Sequence, residues 1–267
     1  MTEVVPRPAS TVLLLRDSRV GLQVFMVVRH DAIDFASGAL VFPGGRVDED
    51  DHLLARRADV YATEDDLDGV ARSLRVAAIR ETFEECGVLL ARSRGSDQLV
   101  SAARFLEIER AQRVKLCAGE IGLGAVLDAE ALALATDLLV PFAHWITPRH
   151  QRKRYDTHFF LTAAPADQVA AHDGSESVDS IWITPHEAVA GQESGRFKLV
   201  FPTFLNLRKL GRFATVAAAL AAARQARVVT VMPELLRHDE SGMRHMRLPI
   251  EADYGGEIFS VDLPSAS

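Results

Sequence analysis

The amino-acid sequence predicts a layered α/β or α+β fold. Strand-like and helix-like segments alternate along its 267 residues, and no linker is long enough to separate two independent domains. The composition, 48% hydrophobic and 25% charged, is typical of a globular protein with a sizeable core. We therefore expect these segments to pack together in layers.

The first segments predict a β-hairpin. Residues 11–15 (TVLLL) and 22–28 (LQVFMVV) are short and rich in β-forming residues, and the polar break between them ends in Gly21. Residues 39–42 (ALVF) predict a further strand, which stops at the Pro-Gly-Gly of 43–45.

An acidic segment, residues 48–68, follows this turn. It holds nine Asp or Glu residues and shows only weak periodicity. These features predict an exposed loop with some helix, which lies on the surface and influences access to a site more than folding.

Residues 70–90 carry a clear helical pattern. Apolar side chains at Ile79, Phe83, Cys86 and Leu90 follow one another at spacings of four, three and four, which places them on one helix face. Gly87 is a good helix terminator.

The rest of the chain mixes both kinds of element. We predict helices near 99–117 and 125–136, a short helix from Pro185, and a helical stretch over 202–226. The predicted strands are 138–146, 155–162, 178–183, 227–232 and 244–249.

A carboxylate cluster in the helix of residues 70–90 is the best candidate for chemistry. Glu81, Glu84 and Glu85 share the face opposite the apolar stripe, and Arg80 lies one turn before Glu84 and can pair with it. Oxygen ligands of this kind suit Mg²⁺, which usually also binds substrate phosphates. By itself, a Glu-rich helix face is more often only solvated surface.

The joint pattern resembles the box of the Nudix hydrolases, G-x5-E-x7-R-E-U-x-E-E-x-G-U, in which U is a bulky aliphatic residue. Residues 80–88 (RETFEECGV) match its second half, although Thr82 stands at a usually bulkier position. Between Gly45 and Arg80 lie 34 residues where the box has 13, an insertion of 21. The first Glu of the box has no clean equivalent: counting forward from Gly45 gives Asp51, and counting back from Arg80 gives Arg72.

The interrupted box resembles one Nudix subgroup in particular, which contains a mammalian peroxisomal hydrolase of coenzyme A. The similar pieces are residues 38–45, 78–90, 144–148 and 154–160. One feature differs: the coenzyme A signature known in other Nudix enzymes has an Arg where this chain has Asp34.

The resemblance implies a Nudix-type α/β/α sandwich with a mixed β-sheet. It implies a Nudix domain over residues 1–200, with a helical and β extension over 201–267 packed on it. It also implies that Glu84 and Glu85 bind Mg²⁺ or Mn²⁺, helped by the Gly45 carbonyl and by Glu81. It further implies a general base, either Glu81 or an acidic residue of a later loop, for which Glu176 is the candidate. Equally, Glu176 could be only a solvated loop residue.

The basic run that contains Arg149, Arg152 and Arg154 has two interpretations. It could bind a substrate phosphate, such as the 3′-phosphate of coenzyme A, or it could be a solvated hairpin turn, which is the commoner role of charge runs.

Three functions remain open from the sequence. The first is hydrolysis of coenzyme A or acyl-coenzyme A to 3′,5′-ADP and phosphopantetheine. The second is hydrolysis of ADP-ribose, NADH or another nucleoside diphosphate compound, and the third is non-catalytic nucleotide sensing. Retention of the three Glu residues argues against the third.

The charge and the termini bear on partners and location. A net charge of −7 argues against a general nucleic-acid partner. Because the sequence shows no signal peptide and no apolar run of membrane-spanning length, we expect a cytoplasmic protein that does not bind membranes. A homodimer is expected only by analogy with the family.

Overall fold

The computed structural model describes residues 4–29, 38–63, 66–170, 177–238 and 243–261. The strands are β1 (Arg7–Ser18), β2 (Gly21–Arg29), β3 (Leu40–Val41), β4 (Gly44–Arg46), β5 (Ala91–Ser93), β6 (Leu132–Leu134), β7 (Val140–Ile146), β8 (Tyr155–Ala163), β9 (Ser177–Ile183), β10 (Thr230–Val231), β11 (Glu234–His238), β12 (Arg244–Arg247) and β13 (Ile258–Val261). The α-helices are α1 (Glu49–Leu54), α2 (Gly69–Cys86), α3 (Ala102–Ile108), α4 (Val114–Cys117), α5 (Leu123–Ala129), α6 (Pro185–Glu193), α7 (Phe201–Leu210) and α8 (Val216–Gln225).

An eight-stranded mixed sheet forms the centre of the fold. Six strands follow one another in the order β10-β7-β8-β1-β2-β3, while β4 pairs with β1 and β9 pairs with β2. The pairs β1/β8 and β10/β7 are parallel, and the other pairs of this sheet are antiparallel. Two smaller sheets, β5-β6 and β11-β12-β13, lie outside it.

Both faces of the large sheet are buried, which confirms the predicted α/β/α sandwich. Along β1, Val12 and Leu14 belong to one core cluster, whereas Leu13 and Leu15 belong to the other. Because side chains alternate across a strand, the two clusters lie on opposite faces. The first contains residues of α2, α3 and α5, and the second contains residues of α6, α7 and α8.

The predicted hairpin is confirmed. The turn after residues 39–42 ends β3, as predicted, and also leads into a further strand. In the hairpin, Ser18 pairs with Gly21 across a two-residue turn. After Pro43 the chain enters the sheet again as β4, beside β1. Gly44 has a φ of +152°, and a side chain there would overlap the Ser10 carbonyl. This position therefore requires glycine.

The predicted helix over 70–90 is α2, which begins and ends where its capping residues stand. The Asp68 side chain accepts a hydrogen bond from the Ala71 N–H, and Gly87 ends the helix in the left-handed conformation with a φ of +60°. Along the apolar stripe, Ile79, Phe83 and Cys86 are fully buried.

The prediction that residues 48–68 form an exposed loop with some helix is right about the helix but wrong in placing the whole segment on the surface. Helix α1 lies in this segment, and Leu54, Ala55 and Val60 belong to the core cluster beneath α2. Asp51 is also buried, at 1% exposure. The many acidic residues obscure the amphipathic pattern of this short helix. Its inner face carries Asp51 and Leu54, which are three positions apart.

Three other boundaries differ from the prediction. Only the first part of 125–136 is helical, since Ala131 has a φ of +51° and the chain then forms β6. The stretch 202–226 is two helices, because α7 ends near Gly211 and α8 begins anew at a Thr215 cap. Within 227–232, only Thr230–Val231 is strand.

Residues after 200 contact the central sheet directly. Strand β10 pairs with β7, the Val216 N–H donates to Asp17, and Trp145 Nε1 donates to the Tyr254 hydroxyl at 2.8 Å. The domain boundary at residue 200 stays a prediction. Within the described ranges, none of the helices is long and apolar enough to cross a membrane.

Candidate active site

Arg80 organises the carboxylates of α2. Its side chain is 9% exposed. One guanidinium edge, Nε and Nη2, donates to both carboxylate oxygens of Asp51 at 3.0 and 2.9 Å. The Nη1 atom donates to Glu81 at 3.0 Å and to Glu84 at 2.9 Å, and Nη2 also donates to the Arg46 carbonyl. The expected pairing of Arg80 with Glu84 is therefore confirmed.

The glycine turn lies directly against the same carboxylates. The Gly44 N–H donates to Glu85 Oε2 at 2.9 Å. A side chain at Gly45 would overlap the Glu81 carboxylate, so only glycine allows this approach. The structure thus brings the turn together with Glu81, Glu84 and Glu85, as the box pattern indicated.

The site is more enclosed than a solvated helix face. The side chains of Glu81 and Glu84 are only 13% and 19% exposed, and Glu85 is buried. Burial raises the pKa of Glu81 to about 7, although Arg80 acts in the opposite direction. Burial is also the main cause that raises the pKa of Glu84. Burial by itself would lower the pKa of Arg80, but Asp51, Glu81 and Glu84 raise it above its ordinary value.

Asp51 is the residue that sequence reasoning did not assign. It stands six positions after Gly45, where the box has its first Glu, and it forms the bidentate ion pair with Arg80. The insertion therefore begins after the first acidic residue of the box. The spacing of six positions after Gly45 already indicated Asp51. The interpretation that the first Glu of the box has no clean equivalent was wrong.

Thr82, which departs from the box pattern, lies on the buried face of α2. Its hydroxyl donates to the Ala78 carbonyl at 2.7 Å, one turn earlier in the helix. Because the hydroxyl has a partner within the helix, a polar residue is accommodated where a bulky aliphatic residue is usual.

The arginines of the basic run differ in burial. Arg154 is buried, and its guanidinium donates to the carbonyls of Thr147 and Val4 at 3.0 and 2.6 Å. It holds the β7–β8 connection together and is not available to a phosphate, which corrects its assignment as a substrate-binding residue. Arg149 and Arg152 are exposed in that connection. Glu176 and Asp34 lie outside the described residues.

The donor set fits a hard divalent cation. Three carboxylates converge beside backbone groups, and Arg80 supplies positive charge to Glu81 and Glu84. Burial is the main cause of the raised pKa values of Glu81 and Glu84, and the repulsion of neighbouring carboxylates adds to it. A cation with oxygen preference would relieve this repulsion.

Comparison with known proteins agrees with this geometry. The family described as the NUDT19 Nudix domain matches residues 55–210, more than half of the chain. The chain therefore belongs to the Nudix hydrolase family, in the group of the NUDT19 Nudix domain.

Three named relatives are similar over more than half of this chain. Putative nudix hydrolase 7 of Caenorhabditis elegans is 27% identical over 76% of this chain and 60% of its own length. Acyl-coenzyme A diphosphatase NUDT19 of Gallus gallus is 29% identical over 73% and 62%, and the Homo sapiens protein of that name is 31% identical over 54% and 40%. The chain thus spans at most about three fifths of the length of these relatives.

A solved structure also matches. A NUDIX hydrolase from Alicyclobacillus acidocaldarius superposes with a TM-score of 0.66 at 29% identity, covering 82% of this chain and 96% of that one. This likeness supports the sandwich fold over nearly the whole of the bacterial structure.

Proposed function

We propose that this protein hydrolyses a phosphoanhydride bond of a nucleoside diphosphate compound, with Mg²⁺ or Mn²⁺ as cofactor. The observation that carries the proposal is the cluster of Glu81, Glu84 and Glu85, which Arg80 and the Gly44–Gly45 turn hold together. A nucleotide-sensing module has no need of these three carboxylates in this arrangement.

Glu84, Glu85, Glu81 and the Gly45 carbonyl are the groups that would hold the metal. A divalent ion there supplies charge neutralisation for the diphosphate and lowers the pKa of a water. The chain's own contribution is positional: Arg80 fixes the Glu84 carboxylate through Nη1, and the Gly44 N–H fixes that of Glu85.

Glu81 is our candidate for the general base. Its carboxylate lies against Gly45 and accepts a hydrogen bond from Arg80 at 3.0 Å, beside the groups that would hold the metal. In this role the carboxylate of Glu81 takes the proton of the attacking water. Glu176 remains the alternative base from a later loop.

For the substrate, we propose coenzyme A or acyl-coenzyme A, with 3′,5′-ADP and phosphopantetheine (or its acyl form) as products. The support is the name of the relatives, acyl-coenzyme A diphosphatase NUDT19. With Arg154 buried, Arg149 and Arg152 are the residues left to contact the 3′-phosphate.

The metal assignment is tested by Glu84→Gln and Glu85→Gln. Each substitution removes one anionic ligand and keeps the size of the side chain, so we expect at least a 100-fold loss of kcat with the fold retained. Glu120→Gln, at an exposed position, is the matched control and should retain activity. Full activity of both box variants at saturating Mg²⁺ would show that these residues are not ligands.

The substrate is tested by comparing kcat/KM for coenzyme A, dephospho-coenzyme A, ADP-ribose and NADH. Loss of the 3′-phosphate should cost about 1.5–3 kcal/mol, or roughly 10- to 150-fold, as is typical of a charge-assisted hydrogen bond. The penalty should shrink in Arg149→Ala/Arg152→Ala but not in Arg224→Ala, which changes an exposed arginine of α8. Preference for ADP-ribose or NADH would reject this substrate and leave the hydrolase proposal standing.

A further inference from the structure

Three potential metal ligands meet on β7 and β8, apart from the carboxylates of α2. They are His144, Asp156 and His158, whose ligand atoms all lie within 4.8 Å of one another. The two imidazole rings stack with centroids 4.0 Å apart. Asp156 Oδ1 hydrogen-bonds to His144 Nε2 and lies 3.6 Å from His158 Nε2. The Nε2 atoms of both rings therefore converge on one carboxylate.

The sheet register places this cluster in the same row as Gly45. Gly45 pairs with Ser10 across β4 and β1, Ser10 pairs with His158, and His158 pairs with His144. The Ser10 hydroxyl donates to the Leu74 carbonyl of α2, so this row faces α2. Two strand spacings separate Gly45 from His158, a distance of about 10 Å. The cluster is thus a neighbour of the candidate active site and shares none of its residues.

We propose that His144, Asp156 and His158 form a second metal site, which binds Zn²⁺. Two imidazoles and one carboxylate are ligands that suit zinc and other late transition metals, whereas Mg²⁺ prefers oxygen ligands alone. A tetrahedral zinc site brings donor atoms to about 3.4 Å from one another. The His158–Asp156 separation of 3.6 Å is already close to that value.

The surroundings of His144 strengthen the assignment. Thr230 Oγ1 of β10 lies 2.8 Å from His144 Nδ1. A hydrogen bond at one ring nitrogen orients an imidazole ligand and directs the other nitrogen to the metal. The side chains of His144, His158 and Asp156 are 16%, 33% and 35% exposed, so an ion and a water as fourth ligand can reach the site.

A positive charge near the cluster opposes a cation. Arg75 of α2, whose guanidinium lies over the Phe160 ring on this face, acts electrostatically on His158. The negative charge of Asp156 offsets it. An ion bound here links β7 to β8 next to the connection that carries Arg149 and Arg152, and it stabilises the folded chain by mass action.

The test is zinc titration of the full chain without a histidine tag, in excess Mg²⁺ so that the carboxylate cluster is occupied. We expect one equivalent of Zn²⁺ to bind and to raise the Tm, and Co²⁺ to give the visible absorption of a tetrahedral site. His144→Gln and His158→Gln should each lower zinc affinity at least 100-fold, and Thr230→Val about 10-fold.

Two controls separate this site from other ligands. His186→Gln changes an exposed histidine of α6, and Glu84→Gln changes the carboxylate cluster; neither should alter zinc affinity. Chemical modification of histidines in the unaltered protein, mapped by mass spectrometry, needs no variant: Zn²⁺ should protect His144 and His158 selectively. Unchanged affinity in a folded His144→Gln/His158→Gln protein, or no binding and no protection in excess Mg²⁺, overturns the proposal.

Discussion

Arg80 shows how one buried charge can order a whole site. A single guanidinium contacts Asp51, Glu81 and Glu84, and it reaches the Arg46 carbonyl of β4 as well. These hydrogen bonds join Arg80 to α1, to its own helix α2 and to the sheet. Because Asp51 holds one edge of the guanidinium, the positions of the Glu81 and Glu84 carboxylates depend on Asp51. The ion pair therefore links stability to the proposed activity.

Removal of Asp51 should expose this link. Asp51→Ala leaves the buried Arg80 without its bidentate partner, so we expect a loss of about 3–5 kcal/mol in the free energy of unfolding. The kcat should also fall, since Arg80 is then free to shift away from Glu84. Urea unfolding and steady-state kinetics measure the two effects.

Two variants serve as controls for Asp51. Glu49→Ala removes an exposed acidic residue from the same helix and should cost under about 1 kcal/mol. Asp51→Glu, which keeps the carboxylate, should recover part of both losses. Equal stability of Asp51→Ala and Glu49→Ala would contradict the role given to the ion pair.

The raised pKa of Glu81 predicts how the stability of the metal-free protein depends on pH. Its folded pKa of about 7 lies above the ordinary 4.5, so the folded state binds the proton more tightly than the unfolded state. The stability that this group contributes is complete below pH 4.5 and is lost as the pH rises to about 7. The effect is at most about 3 kcal/mol.

Glu81→Gln removes this titration. In the presence of a chelator, the unfolding free energy of the unaltered protein should fall relative to that of Glu81→Gln as the pH rises from 4.5 to 7. Saturating Mg²⁺ should abolish the shift if Glu81 faces the cation. Parallel stability curves without metal would show that the pKa of Glu81 is not raised.

At the scale of the element, α1 makes the acidic segment of residues 48–68 part of the core. Leu54 is 5% exposed and packs in the cluster beneath α2, whereas its neighbour Leu53 is 50% exposed. The helix thus delivers both an apolar residue and Asp51 to the inner side. A segment with this role cannot be exchanged freely for a polar loop.

The adjacent leucines of α1 give a matched pair. Leu54→Ala should destabilise the protein by about 2–5 kcal/mol because it removes buried apolar volume, whereas Leu53→Ala should change stability by less than about 0.5 kcal/mol. Thermal or urea unfolding distinguishes them. If a chimera with a short polar loop in place of residues 48–68 unfolds as cooperatively as the unaltered protein, α1 is dispensable and the assignment to the core fails.

At the scale of the molecule, the residues after 200 complete the second face of the sheet. Leu205, Leu207 and Leu210 of α7 are fully buried in the cluster that contains Leu13 and Leu15 of β1. On the same side, Trp145 bonds to Tyr254, which in turn donates to Asn206. The extension therefore covers apolar surface that the first 200 residues would otherwise expose.

A fragment of residues 1–200 should consequently fail to fold cooperatively. It lacks α7, α8 and β10, so one face of the central sheet meets water and its apolar side chains lose most of their burial free energy. Circular dichroism and urea unfolding of the fragment measure this directly. A cooperative transition close to that of the full chain would restore the division into a domain over 1–200 and a dispensable extension.

The sequence by itself determined the main elements and the centre of the site. Two short runs of β-forming residues around a polar break predicted the first hairpin, the apolar stripe predicted α2, and residues 80–88 predicted the carboxylate cluster. These features are local: they depend on the spacing of residues along one strand or one helix. The end of α2 at Gly87 is local in the same sense, because glycine has no side chain that opposes the left-handed conformation.

Only the tertiary structure decided how distant segments meet. It placed Asp51 on Arg80, 29 positions away, and buried Arg154 against the carbonyl of Val4. It also brought His144 and His158 onto one carboxylate through the pairing of β7 with β8. A charged residue has the same local pattern whether it faces solvent or a buried partner, because its burial depends on what the rest of the chain packs against it.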